Sequence, residues 1–95
     1  MSLRTLKTTD FTLVGGKYYS PGVQIEGSGA AVQLKTSVAG TVTVERAVNG
    51  KDFTAVPDFS VSVNGLAEFN IANAIKGQWI RVASTVEPVS CNILT

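Results

Sequence analysis

Apolar and polar residues alternate at a period of two along most of this sequence, and no useful window repeats apolar residues at helical spacing. The clearest runs are Val32-Gln33-Leu34-Lys35-Thr36, Thr41-Val42-Thr43-Val44-Glu45, Ile80-Arg81-Val82-Ala83-Ser84 and Val89-Ser90-Cys91-Asn92-Ile93. Each puts β-branched or aliphatic residues on one parity and mostly polar ones on the other, the pattern of strands with one buried and one outward face.

Turn chemistry divides the rest. Asn-Gly supplies the positive φ angles of a two-residue hairpin. Asn49-Gly50 therefore predicts a hairpin joining 41–48 to 51–56, and Asn64-Gly65 one joining 59–63 to 66–71. Pro57-Asp58 and Lys76-Gly77 punctuate the intervals, and Glu87-Pro88 breaks a last hairpin. The one candidate helix is Ile71-Ala72-Asn73-Ala74-Ile75-Lys76, at most a turn or two before Gly77.

Residues 1–29 read as an N-terminal arm or loop-rich edge segment, with a strand at Phe11–Val14, a short Val23–Glu26 run, and turns at Gly15-Gly16, Ser20-Pro21-Gly22 and Gly27-Ser28-Gly29. Residues 30–95 read as the core of an all-β antiparallel sandwich, jelly-roll or Ig-like, or a small barrel, with about seven or eight short strands. At 95 residues the whole is one domain.

Charged residues make up 16% of the chain, below the roughly 25% usual for soluble domains. A surface that sparse in charge is either built of Ser, Thr, Asn and Gln or covered by neighbouring subunits. The net charge is +1 and the basic residues do not cluster, which argues against nucleic acid, since a polyanion is bound by a concentrated basic face. No stretch matches a signal h-region or a membrane span, so the expectation is a chain made in the cytoplasm with no membrane partner. Cys91 is the only cysteine, so no internal disulfide forms and stability comes from packing or assembly.

The chemistry is sparse. Histidine is absent, which removes the commonest general base, a usual metal ligand and every Ser-His or Cys-His nucleophile. One cysteine makes no thiolate zinc site, and Gly27-Ser28-Gly29 has neither the spacing nor the lysine of a phosphate loop, so it reads as a turn. Asp10, Glu26, Glu45, Asp52, Asp58, Glu68 and Glu87 are the remaining route to acid–base work. They are scattered in polar strand or turn contexts and read as solvated charges, with an Asp52/Asp58 calcium site a weak remainder. No catalytic residue, cofactor or metal is expected.

Cys91 shares its parity with Val89 and Ile93 and reads as a small buried hydrophobe. Arg81 points away from the core that Ile80 and Val82 define and pairs with Glu45 or Glu68. Tyr18, Tyr19 and Trp79 are candidates for stacking on a sugar ring or anchoring a subunit contact, Tyr being enriched at interfaces.

The stretch from Gly40 to Leu94 carries a resemblance. Gly40-Thr41-Val42-Thr43-Val44-Glu45, Ala47-Val48-Asn49-Gly50-Lys51-Asp52-Phe53 and Trp79-Ile80-Arg81-Val82 resemble small β-sandwich modules of tailed-bacteriophage structural proteins. In those, a "GTVT" strand leads into an Asp-Gly turn, where this chain has Asn49-Gly50, and a later "YxRV" strand precedes the final hairpin. The resemblance implies a non-enzymatic virion component: a capsid decoration or auxiliary protein, or a small tail or head-fibre part. It also implies many copies contacting capsid or tail subunits and one another. The alternative is a carbohydrate- or receptor-binding module. That alternative expects Tyr18, Tyr19 and Trp79 to be exposed in one groove, whereas the structural reading expects at least some of them to be buried or covered.

Overall fold

The computed structural model describes residues 2–72 and 74–95, with the side chains of all of these except Pro57, Asp58 and Phe69. The alternating runs form strands whose apolar parity meets across two antiparallel sheets, giving the expected sandwich-like fold. In order the strands are β1 (Leu3–Lys7), β2 (Thr12–Val14), β3 (Lys17–Tyr19), β4 (Val23–Gln24), β5 (Ala30–Thr36), β6 (Gly40–Ala47), β7 (Thr54–Val63), β8 (Leu66–Ile71), β9 (Trp79–Ser84) and β10 (Pro88–Leu94). A 3-10 turn at Thr8–Asp10 links β1 to β2. One sheet has the order β1-β10-β5-β8; the other runs β2-β3-β9-β6-β7, with β4 also paired to β9.

The core is what the parities dictate. Val32 and Leu34 from β5 and Cys91 and Ile93 from β10 face Val42 and Val44 from β6 and Ile80 and Val82 from β9, all fully buried. Leu6 from β1, Ile71 from β8 and Val63 from β7 close the sides, and Phe11 and Ile25 fill from loops. A buried aliphatic side chain contributes roughly 1.5–3 kcal/mol, so this cluster is the main source of stability.

Several turns join different partners from those expected. Asn64-Gly65 does not close a hairpin: Val63 pairs with Gly40 in one sheet and Leu66 with Lys35 in the other, so the two residues carry the chain between layers. The Gly65 carbonyl accepts from Thr36 N at 2.7 Å and fixes that crossing. Residues 85–87 likewise cross from β9 to β10 in the opposite sheet, where a last hairpin was expected. Asn49-Gly50 lies in a longer loop, 48–53, because the side-chain Oδ1 of Asn49 accepts from both Lys51 N and Asp52 N at 2.9 Å and turns the chain before pairing resumes at Thr54. The tight hairpin with two positive φ angles is at Gly15-Gly16 (57° and 83°), where Val14 pairs with Lys17.

Pro57-Asp58 does not end a strand. β7 runs through it with a bulge, the register against β6 shifting from Thr43↔Ser60 to Glu45↔Ala55. β7 is an outermost strand, where a missing amide donor costs nothing on the open side. The candidate helix at 71–76 is absent among its described residues: Ile71 ends β8 paired with Ala30, Ala72, Ala74 and Ile75 are irregular, and Asn73 lies outside the described residues. Gln78 Oε1 accepts from Ile75 N at 2.9 Å, a side-chain bond that takes an amide helix formation would need.

The loop-rich N-terminal arm is not what the structure shows. Residues 3–24 contribute β1 to one sheet edge and β2, β3 and β4 to the other sheet. β3 and β4 lie end to end along one side of β9, separated by Ser20-Pro21-Gly22. In that gap the Ser20 amide donates to Val82 O at 2.9 Å. The Ser20 hydroxyl accepts from Val82 N at 2.8 Å and donates to Pro21 O at 3.1 Å. A side chain thus completes a ladder rung that the proline-containing backbone leaves open.

Ser20→Ala removes the acceptor from a buried amide, and the expected loss is about 1–3 kcal/mol of unfolding free energy. Urea denaturation of the two proteins checks this; an unchanged midpoint at equal slope would show that Val82 N has another acceptor.

Candidate functional site

Alternation along β9 that sends Ile80 and Val82 inward sends Trp79, Arg81 and Ala83 to the outer face of the second sheet. Cross-strand register sets their neighbours: Glu45 stands opposite Arg81, Ala47 opposite Trp79, and Tyr19 opposite Ala83. Arg81 Nε lies 2.6 Å from Glu45 Oε1, with the two side chains 29% and 14% exposed. This is a half-buried, charge-assisted bond, stronger than a solvent-exposed pair of equal length.

The guanidinium is also stacked. Arg81 Cζ is 4.4 Å from the centre of the Tyr19 ring and 4.5 Å from that of Phe53. Phe53 reaches this position because the 48–53 loop folds back over the sheet. Gly50 permits it, having φ +75 and lying so close to the Trp79 indole that an added Cβ would sit 3.2 Å from Trp79 Nε1. Gly22 approaches from the other side, where a Cβ would sit 3.2 Å from Phe53 Cζ and 3.4 Å from Trp79 Cε3. The outer face therefore carries a continuous half-buried cluster of Tyr19, Arg81, Phe53 and Trp79, tied to Glu45. Beside it lies an open groove of about 450 Å³ lined by Thr12, Val14, Tyr19, Ser20, Pro21 and Arg81.

Of the residues singled out from the sequence, the structure brings Tyr19 and Trp79 to this face and separates Tyr18, whose side chain packs against the core on the opposite side of β3. All three are half-buried. Of the two partners expected for Arg81, Glu45 is the one it takes; Glu68 is on the other sheet, accepting from Gln33 Nε2 at 3.3 Å. Phe53 was not singled out as a site residue, although its place directly after the Asn49-Gly50-Lys51-Asp52 turn was visible.

Three of the remaining carboxylates have partners, while Glu87 is exposed and makes no hydrogen bond to another described residue. Asp10 Oδ2 accepts from Lys7 N, Asp52 Oδ2 from Asn49 Nδ2 and Glu26 Oε2 from Thr95 Oγ1. Asp58, the second half of the calcium suggestion, has a side chain outside the described residues. Among the described residues there is no group of three or more metal-ligating side chains. Compared with protein-family models and with curated proteins, the chain matches none.

Cys91 is fully buried at the centre of the core, and burial pushes its thiol from the usual 9.0 up to about 12. In the unfolded chain the thiol ionises near pH 9; in the folded chain it keeps its proton until about 12. Between these values the unfolded state binds fewer protons, so this contribution is complete below pH 9 and is lost as pH rises toward 12. Wild-type stability is expected to fall faster than that of Cys91→Ala over this window, by at most about 1.4 kcal/mol per pH unit. Parallel slopes in denaturant titrations at stepped alkaline pH would refute it.

Proposed function

We propose that this chain is a non-enzymatic structural protein of a bacteriophage virion. In this reading it is a capsid decoration or auxiliary protein, or a small tail or head-fibre component, acting through repeated contacts with capsid or tail subunits and with copies of itself. The observation that carries the contact role is the state of the sheet edges. The outermost strands β1, β2 and β8 each expose a large apolar side chain: Leu3 at 65%, Leu13 at 57% and Val14 at 59%, and Leu66 at 64%. Open edges normally carry charge, proline or bulges that discourage pairing; here that chemistry is Arg4 and Lys7 on β1, Glu68 on β8, and Pro57-Asp58 with the bulge on β7, while β2 has none of it. Apolar edges distributed around a weakly charged module suit a protein whose edges are covered by neighbours, each contact small and the total made strong by repetition.

The phage assignment rests on the resemblance over Gly40–Leu94. The non-enzymatic assignment is supported by the absence of histidine and by carboxylates that are mostly engaged with partners of their own rather than converging on one groove.

Two measurements test the reading. Light scattering after size exclusion, over a wide concentration range, is expected to give a defined multimer. Leu13→Lys with Leu66→Lys should shift that multimer to monomer without lowering the unfolding midpoint. A monomer at every concentration would remove self-assembly from the proposal. Mass spectrometry of particles purified from a lysate of the bacterium carrying this gene is expected to find the chain at many copies per particle, and its absence there would end the virion assignment.

A further inference from the structure

The groove beside Arg81 has the construction of a receptor for a carboxylate, and we propose that it binds an acidic sugar of the uronate type. Arg81 uses Nε for Glu45, and among the described residues its two terminal nitrogens have no hydrogen-bond partner. Those nitrogens form the fork that binds a carboxylate bidentately. Tyr19 and Phe53 hold the guanidinium plane from both faces and Glu45 fixes its rotation, so much of the entropy cost of ordering a long side chain is met before any ligand arrives. Arg81 lines the groove, so the fork is accessible.

The surroundings select the rest of the ligand. Thr12 and Val14 on β2 and Tyr19 on β3 share the outer face, and Lys17, opposite Val14, joins them on the same parity and adds a second positive charge. The Thr12 and Tyr19 hydroxyls make no hydrogen bond to another described residue, while the Ser20 hydroxyl is already committed to Val82 N and Pro21 O. Val14 and Pro21 supply apolar surface. A carboxylate receptor with two available hydroxyls and apolar patches matches a sugar acid, whose ring has hydroxyl edges and an apolar face. At about 450 Å³ the groove is larger than one acidic side chain fills and lies within the roughly 300–1,000 Å³ typical of small-molecule sites. This site shares Val14 with the β2 edge described above but does not rest on the role proposed for that edge, and it differs from a shared platform of Tyr18, Tyr19 and Trp79, which the opposite facing of Tyr18 breaks up.

The test is a titration of the isotope-labelled protein, followed by nuclear magnetic resonance at the Arg81 Nε–Hε group and at the Thr12 and Tyr19 amides. D-glucuronate and D-galacturonate are the probes, D-glucose is the neutral control, and a short Glu-containing peptide is the competing carboxylate. At least one uronate is expected to shift all three signals saturably, with glucose leaving them in place. Arg81→Lys, which keeps the charge and loses the fork, should weaken that binding by about tenfold or more. Should Arg81→Lys perturb the fold, Thr12→Val, nearly isosteric and not itself a member of the stack, carries the test with an expected loss of about threefold. No saturable shift with either uronate, equal shifts with glucose, or tighter binding of the peptide than of both uronates would each overturn the proposal.

Discussion

Everything in this molecule is arranged around satisfying both sides of β9. A strand buried between two neighbours carries amides and carbonyls that water cannot reach, and each unpaired one costs about as much as a lost hydrogen bond. β6 supplies one side in an unbroken register from Val42↔Ser84 to Ala47↔Trp79. The other side is assembled from three pieces, β3, Ser20 and β4, all drawn from the first 24 residues. The N-terminal segment is therefore structural in a strict sense. Without it Ile80 and Val82 would still have their partners across the core, but the strand holding them would have an open side. Because β3 is also the strand that carries Tyr19, the same pairing that closes β9 brings one wall of the groove to Arg81.

The two faces of β9 are coupled by their shared backbone. Inward, Ile80 and Val82 fix the strand against Leu34, Cys91 and Ile93; outward, Trp79 and Arg81 take whatever position that packing leaves them. The outer cluster is stable because each part meets a need of another. The guanidinium, only part-exposed, needs a counter-charge and finds Glu45 one strand away. The 48–53 loop needs something to rest on and finds the Trp79 ring under Gly50 and the Arg81 plane under Phe53. Removing one member loosens the loop and the arginine together, which is the behaviour expected of a network rather than of separate pairs.

What could be read from the sequence follows from what alternation encodes. Period two tells which residues share a face, so the inward sets of β5, β6 and β9, Cys91 and Ile93 on β10, and the outward Arg81 were legible before any coordinates. The choice of Glu45 over Glu68 was not, and Val89, expected on the Cys91 parity, is exposed because the β10–β5 register shifts between Pro88 and Ser90. Alternation does not encode which strand lies alongside. Asn64-Gly65 has turn chemistry that sets backbone angles, and those angles serve a crossing between sheets as well as a hairpin; the pairing of Val63 with Gly40 and Leu66 with Lys35 decides between them. β1 was illegible for a related reason, and β3, only three residues long, is too short to show a period. Edge strands are exposed on most positions, so β1 shows Leu3 outward and Leu6 inward, three residues apart, with no period-two signal between them. Pro57 looked like a terminator because a central strand could not hold it, and the sequence does not say that β7 is an outermost strand.

Phe53 shows the same limit at the site. Nothing in its own neighbourhood says that a turn residue will cover an arginine twenty-eight positions away. What sends it there is the pairing of Arg46 with Thr54, which leaves 48–53 as a loop, together with an Asn49 side chain that curls that loop by accepting two successive amides. A two-residue hairpin at Asn49-Gly50 would have carried Phe53 outward along the strand and left one face of Arg81 to water. The longer loop thus converts an ordinary cross-strand ion pair into a guanidinium held on both faces. Only a group held that firmly, with its terminal nitrogens still available, can act as a preorganised donor to a second carboxylate rather than as a flexible surface charge.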